Sequence, residues 1–554
     1  MNDTDSLKRY NKVLDIIDKR LVPDEEAKKQ RGEVFTPLSV VREMLFGINR
    51  RTNETWGITK DGEIIEEEEE ERVGGIPLEL FRDSTTKWLD PANGIGNFPV
   101  VAFYMLDYQL NKHGKNKEFR GVENVKKRRE HIVQNMLYMI ELNKGNVNAS
   151  IKIFKLITPT ITPNICCMDT LKITDEKLKE RFGINRFDVI MGNPPYNKGG
   201  IMGIMKQDRE KNMGKTKKSK IKEDVDNEDK REVIWMDFIQ HSFKWLKPSG
   251  ILSFVTPLYW LKSSNEIHNT MLEKHISWLK LWDNSQSKQM INADIPISLF
   301  VLHNRENRHK EKTYITSILN RRRFNRSYHE YLSPGQSVPL GYYSIFNKLV
   351  KFIKVKHLEL EYEKKKISSK QSDSKPLPHD FTLEDLLSVD TYTIKEGIKV
   401  KKTKNQHPDA AKRKIIIANK SSFAGAYLDE GKLGLTGNDK YYILGDQLEL
   451  IYQLLSFKVI YYIVCHFTKY RQDLLDPEAF QYIPDIRKLN LSDITEDQFY
   501  RLVGFTKQEL DEINHCDLKP KKENQSKKAN ISKKANISKN SNKSKKIKVV
   551  GTKF

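Results

Sequence analysis

The most specific chemistry in this sequence lies in Gly192-Asn193-Pro194-Pro195-Tyr196. Asn193 offers a side-chain carbonyl that accepts a hydrogen bond from an exocyclic amine. The Pro194 carbonyl is a second acceptor, because neither proline can fold the loop back into a helix or a ladder. Tyr196 supplies a flat face on which a planar base stacks. Together they would hold a flat –NH2 compound with its nitrogen lone pair turned toward an electrophile. A proline-stiffened strand exit, with Tyr196 packing at its rim, is the plainer reading of the same residues.

A second group supplies a place for that electrophile. In TTKWLDPANGIGNF, Lys87 to Leu89 end a strand, Asp90-Pro91 leave it, Gly94 and Gly96 permit a tight turn, and a helix begins at Asn97. Strand, glycine loop and helix form the first unit of a doubly wound nucleotide-binding fold. The loop departs from Gly-x-Gly-x-x-Gly, since an acid precedes it and only Gly-x-Gly is present. An acid there repels phosphate and attracts an ammonium group, which fits a cofactor with an α-amino group rather than a dinucleotide. Glu141 ends the strand Leu137 to Ile140, where an acid commonly accepts from a ribose diol; Glu123, after a poorer strand, competes. Asp169 ends Ile165 to Met168 and reads either as a helix cap or as a contact to an adenine amine. Upstream, Thr36 and Pro37 read as cap and first residue of a helix, with Phe35 placed to cover a ligand.

Each of these residues needs a strand to aim it. Phe187 to Met191 is a short, nearly all-apolar run, which suits a parallel strand buried on both faces. Successive strands ending in Asp90, Glu141, Asp169 and Asn193 would bring those residues to one edge of one sheet, the edge where open α/β sheets bind ligands. Trp235 to Leu246 read as a helix, Lys247 to Gly250 as a turn and Ile251 to Thr256 as another strand. Leu279 to Asp283 and Ile295 to Leu302 read as the last two strands.

Composition limits the partners. The 554 residues exceed one core, and the net charge of +22 suits a polyanion. About half of that charge lies in Lys519 to Phe554, a Lys-, Asn- and Ser-rich tail with a repeated KANIS, which is expected to be disordered. Cys166, Cys167, Cys465 and Cys516 have neither zinc-ligand spacing nor the density of a disulfide scaffold, so a reduced, intracellular protein is expected. No signal peptide is read at the N-terminus, and no apolar run reaches the ~18 residues that span a bilayer. The Glu66–Glu71 run reads as a solvated loop. Residues Asp5 to Leu21 have helical spacing. The Lys- and Met-rich stretch from Gly199 to Glu232 lacks core periodicity and reads as a loop that closes over a nucleic-acid strand. After Asn304 the character changes: basic and aromatic residues interleave around Arg321–Arg326, and Ile394 to Lys414 form another basic stretch, as backbone neutralisation with base contact requires.

The order of GEVFTP (Gly32–Pro37), DPANGIGNF (Asp90–Phe98), YMIELN (Tyr138–Asn143), CCMDTL (Cys166–Leu171) and GNPPYN (Gly192–Asn197) resembles the γ-class N6-adenine DNA methyltransferases, particularly stand-alone type II restriction–modification methylases. FQYIPDIRKL also looks like the end of their recognition domains. The resemblance implies an α/β fold: a doubly wound, Rossmann-like S-adenosylmethionine-dependent methyltransferase sheet with a C-terminal mixed α+β target-recognition domain. It divides the chain into an N-terminal helical segment (1–31), a catalytic domain (32–304, with the loop 199–232), a recognition domain (305–515) and a basic tail (516–554). It implies S-adenosylmethionine as cofactor, with Phe35 and Thr36 lining its pocket and Asp90 meeting its amino group. Gly94 and Gly96 would admit close backbone approach, Glu141 would hold the ribose, and Asp169 would contact the adenine. Asn193, Pro194, Pro195 and Tyr196 would take a flipped target adenine. No metal is implied. Double-stranded DNA is the implied partner of a cytoplasmic monomer, with room for a separate restriction endonuclease, because too few residues precede GEVFTP for a fused nuclease. Methylation of RNA or protein glutamine, and a non-catalytic DNA-binding role on a methylase fold, are the rival readings.

Overall fold

The computed structural model describes residues 36–57, 65–197, 233–307, 311–319, 324–365, 375–376, 386–393, 397–418, 426–436, 440–467 and 475–515. The expected helix at Asp5 to Leu21, Phe35, the 199–232 loop, Arg321 to Arg323 and the basic tail lie outside these residues.

After a two-stranded ribbon, β1 (Ile48–Asn49) with β2 (Arg72–Val73), the chain builds a nine-stranded sheet. Its members are β3 (Trp88–Asp90), β4 (Leu137–Glu141), β5 (Asn164–Cys167), β6 (Phe187–Gly192), β7 (Leu246–Pro257), β8 (Lys274–Trp282), β9 (Ile297–Glu306), β10 (Thr313–Leu319) and β11 (Phe324–Glu330). The order is β11-β10-β8-β9-β7-β6-β3-β4-β5. From β5 to β7 every pair is parallel, whereas β9 runs antiparallel to both β7 and β8. The chain winds outward from β3 through β4 to β5, then returns to β6 on the other side of β3. This reversal is the topological switch point, where a crevice opens at the carboxyl ends of the strands.

Alternating side chains of the parallel strands enter two hydrophobic layers. Trp88, Leu137, Met139, Val189 and Met191 face one layer, and Leu89, Tyr138, Ile140 and Ile190 the other. Both layers are dry, which explains the near-continuous apolar runs. The helices Leu38–Phe46 and Asn97–His113 contribute to the first layer, and Trp235–Trp245 to the second.

Several local expectations change. The sheet does not end with the two strands near Leu279 and Ile295; β10 and β11 add to it beside β8, past the change of composition at Asn304. Lys247 to Gly250 are a bulge inside β7, because the pairing with β6 jumps between Phe187–Leu246 and Val189–Ile251. The first helix starts at Leu38, one residue later than read. Pro37 has φ −56 and ψ 146 and so occupies the cap position, and Thr36 is no side-chain cap. The charged segment after Asn124 is α-helical from Val125 to His131 and continues as a π-turn from Ile132 to Met136. The span Leu448 to Phe467 is two helices bent by 68° at a break. No single helix among the described residues is long and apolar enough to cross a membrane. The Glu66–Glu71 run is tied down as well as solvated: Glu67 accepts from Asn49, Glu69 pairs with Arg82 and Glu71 with Arg51.

Beyond Glu330, two small sheets, Lys375–Pro376/Gly397–Lys402/Leu387–Thr393/Gly434–Leu435 and Ala426–Asp429/Lys414–Ala418/Lys440–Ile443, pack with helices around a separate core. Lys414 is wholly buried there. Its ammonium donates to Asp429 (2.6 Å) and to the carbonyls of Asp409, Ala410 and Lys412, holding the preceding turn closed. Burial lowers its pKa and Asp429 opposes that shift. Replacing one member of a buried pair leaves the other uncompensated, at a cost of about 3–5 kcal/mol. Lys414→Met is therefore expected to lower the urea midpoint of the full chain markedly, whereas exposed Lys404→Met leaves it nearly unchanged.

Candidate active site

The carboxyl ends of β3, β4 and β6 meet at the switch point, and each delivers one predicted residue. Asp90 ends β3 and is 1% exposed. One carboxylate oxygen accepts from the Ala92 amide at 3.0 Å; the other is buried with no partner. Burial raises its pKa well above the usual carboxylate range, and nearby Glu141 adds to the rise, against the Ala92 hydrogen bond. Gly192 ends β6 against this carboxylate. At its φ of +156, a Cβ would lie 2.8 Å from Asp90 Oδ1, so only glycine lets β6 pass so close.

Glu141 ends β4 and organises the glycine loop. Its two oxygens accept from the amides of Gly94 and Asn143, both at 2.7 Å. The rival Glu123 sits on a short 3-10 turn, Val122–Asn124, instead of a strand end. Gly96 precedes the helix in the left-handed region at φ +101. A Cβ there would meet the Ser150 hydroxyl at 3.3 Å.

Sequence reading missed three polar residues of this loop. Asn93 donates to Ser150 Oγ (2.7 Å) and to the Gly94 carbonyl (3.0 Å). Asn97 donates to the Thr36 carbonyl at 2.8 Å, fastening the segment before the first helix to the glycine loop. Asparagines on either side of Gly-x-Gly were a visible signal; Ser150, on the helix Lys144–Ile157, was not. Thr36 is buried, and its hydroxyl has no partner.

Asp169 follows β5 and caps the turn Thr170–Lys172, accepting from the Leu171 amide at 3.2 Å and pairing with Lys172 at 3.1 Å. Its side chain keeps 34% exposure, so the capping role leaves it open to a ligand as well. Thr170 Oγ1 donates to the Pro91 carbonyl at 2.5 Å, joining this turn to the Asp90 loop.

Past Gly192, Asn193 is half-buried and Pro194 buried. The Tyr196 ring is half-buried between both hydrophobic layers, with its hydroxyl inside and without a partner; burial raises its pKa. The Tyr196 carbonyl accepts from the Ile234 amide at 3.2 Å, and Asn197 bridges to Val233. The chain thus leaves and re-enters the described fold at one point, beside the Asn-Pro-Pro-Tyr loop.

The strand order, the antiparallel β9 and the acid-led glycine loop at the switch point define an S-adenosylmethionine-dependent methyltransferase sheet. Residues 102–290 match the model of the Eco57I restriction-modification methylase family. The match includes Glu141, Asp169 and Gly192–Tyr196 and begins after the glycine loop. No curated protein matches the chain. Among solved structures, the chain is similar to the EcoKI M protein of a type I restriction enzyme (12% identity, 44% of this chain and 47% of that one, TM-score 0.29). It is also similar to a modification subunit of a putative type I restriction enzyme from Vibrio vulnificus YJ016 (15%, 68% and 60%, 0.30). A third similar structure is the type IIL restriction-modification enzyme MmeI in complex with DNA (12%, 82% and 72%, 0.42). The chain thus spans about half to three fifths of the length of the first two.

The residues present fit S-adenosylmethionine, the expected cofactor. The unpartnered oxygen of buried Asp90 suits an ammonium group, the unpartnered Thr36 hydroxyl suits a polar end group, and the glycine turn exposes backbone at close range.

Burial raises the Asp90 pKa, so its ionisation works against the folded, ligand-free state. Its favourable contribution is complete below the unfolded value near 3.8 and is lost as pH rises through the folded value. Asp90→Asn is therefore expected to raise the melting temperature of the ligand-free protein relative to wild type increasingly above about pH 4. The same variant should lose cofactor affinity. Calorimetric melts from pH 4 to 8 and cofactor titration test both, and a melting-temperature gap that shrinks with pH would refute the assignment.

Proposed function

We propose that this protein methylates N6 of adenine in double-stranded DNA as the modification arm of a restriction–modification system. The observation that carries the proposal is the contact of Asp90 with the backbone of Gly192: it sets the cofactor acid and the Asn-Pro-Pro-Tyr loop side by side at one strand edge.

In this reading Asp90 binds the cofactor's amino group, Thr36 lines the same end of its pocket, and Gly94 and Gly96 let the backbone approach. Glu141 accepts from the ribose, and Asp169 faces the adenine moiety. When bound, S-adenosylmethionine supplies an electrophilic methyl group on a cationic sulfur. The target adenine leaves the duplex, at a cost of a few kcal/mol, and stacks on Tyr196. Asn193 Oδ1 and the Pro194 carbonyl accept hydrogen bonds from N6, which orients its lone pair and stabilises the positive charge that grows there. Pro195 keeps the loop extended. The methylated nitrogen then gives up a proton. This catalysis is positioning and electrostatic complementarity.

Base sequence would be read by the region beyond Glu330. That region is anchored on the reactive edge of the sheet. Just past the carboxyl end of β7, Lys262 pairs with Asp476, and Ser264 donates to Glu478. Glu478 also accepts from Ser337, whose hydroxyl receives the Ser263 amide. β7 lies beside β6, the strand that leads into the Asn193 loop, so this anchorage ties the second region to the segment after the neighbouring strand.

Incubation with DNA and S-adenosylmethionine, followed by sequencing that detects modified bases, is expected to give N6-methyladenine at one short motif. Asn193→Ala should abolish it, a loss of at least ~100-fold, while leaving cofactor affinity within a few-fold. Methylated cytosine, or methyl transfer only to protein or RNA, would overturn the proposal.

A further inference from the structure

We infer that Asn97 is a second reader of the cofactor's amino group, using its side-chain oxygen, while its nitrogen locks Thr36 over the site. This rests on the methyltransferase reading. The argument starts from the chemistry of an amide. The Thr36 carbonyl can only accept, so the Asn97 group facing it at 2.8 Å is the NH2. That fixes the flip of the amide and turns Oδ1 the other way. Asn97 is 95% buried, being 5% exposed, and this oxygen has no protein partner. A buried acceptor left unmet costs roughly 1–3 kcal/mol, so its persistence calls for a ligand donor.

The surroundings say which donor. Asn97 is the first residue of the helix after the glycine loop, and that loop begins at Asp90. The other unmet groups on the Asp90–Asn97 loop, and on Thr36 bonded to it, are the second Asp90 oxygen, the Thr36 hydroxyl and Asn93 Oδ1. Three of these four atoms are pure acceptors and the fourth is a hydroxyl. Such a set suits a group that donates several hydrogen bonds and carries positive charge. An α-ammonium has three N–H bonds, so Asp90 alone leaves it undersatisfied, and Asn97 Oδ1 supplies a further acceptor without adding a second buried charge. The same side chain fastens Thr36, so the residue that meets the ammonium also holds Thr36 in place.

The inference separates the amino-acid end of the ligand from its nucleoside end. S-adenosylhomocysteine carries the α-ammonium, whereas 5′-methylthioadenosine has the same nucleoside and thioether without it. Titration calorimetry on the full chain is expected to show Asn97→Ala weakening S-adenosylhomocysteine by roughly ten- to a hundredfold and changing 5′-methylthioadenosine less than threefold. Asn97→Asp, which keeps an acceptor there but loses the donor to the Thr36 carbonyl and adds a buried charge, should recover only part of the lost affinity. Equal weakening of both ligands would show a merely structural role for Asn97, and no weakening of either would show that its oxygen meets nothing; either result overturns the inference. If wild type binds neither ligand, the methyltransferase reading itself fails, which is a distinguishable outcome. Retained 5′-methylthioadenosine binding also reports that each variant is folded.

Discussion

The close pass of β6 over the Asp90 carboxylate is the constraint on which the rest of the site depends. Parallel pairing of β3 with β6 brings Asp90 and the Asn-Pro-Pro-Tyr loop, to which the proposed function gives the cofactor and the substrate, to neighbouring strand ends. A side chain at position 192 would push them apart, since its first carbon would already lie within 2.8 Å of the acid. The hydrophobic layers above and below hold that register, because a one-residue slip of β6 would turn Val189 and Met191 away from their layer. Packing, in this protein, is what sets the reach between two reacting molecules.

Much of this arrangement was legible in the sequence because it depends on residue types with little conformational choice. Glycines at 94 and 96, prolines at 194 and 195 and short apolar runs ending in acids permit few structures, and the strands β3, β4 and β6 lie where those runs lie. What escaped depends on contacts between distant segments. The bond from Asn97 to Thr36 joins positions far apart in the chain, and Ser150 under the glycine turn is marked by nothing local. The sheet's extension through β10 and β11 was hidden for another reason: after Asn304, basic residues dominate the composition, and Arg326 and His329 on β11 mask its strand character. The first helix began one residue late because the ψ of Pro37, a backbone property, decided its cap.

The buried polar atoms tell a consistent energetic story. Ligand-free, the site holds a carboxylate oxygen, a threonine hydroxyl and two amide oxygens away from water without partners, each unfavourable alone. Lys414, by contrast, is met by an acid and three carbonyls, although Ser253, Asn284 and Tyr343 also keep buried polar atoms without partners. The unmet atoms of Asp90, Asn93, Asn97 and Thr36 belong to one strand end, its glycine loop and the upstream residue bonded to it, so a ligand that meets them would stabilise the folded state.

The bridge between Asn197 and Val233 has an architectural consequence. The strand that carries the reactive loop and the helix that follows are held by β6–β7 pairing and by the Tyr196–Ile234 hydrogen bond, independently of the covalent path between them. Lengthening that path adds only a slowly growing closure entropy. The fold therefore contains a natural splice point: whatever polypeptide is inserted there inherits a place beside the Asn-Pro-Pro-Tyr loop without any strand having to move.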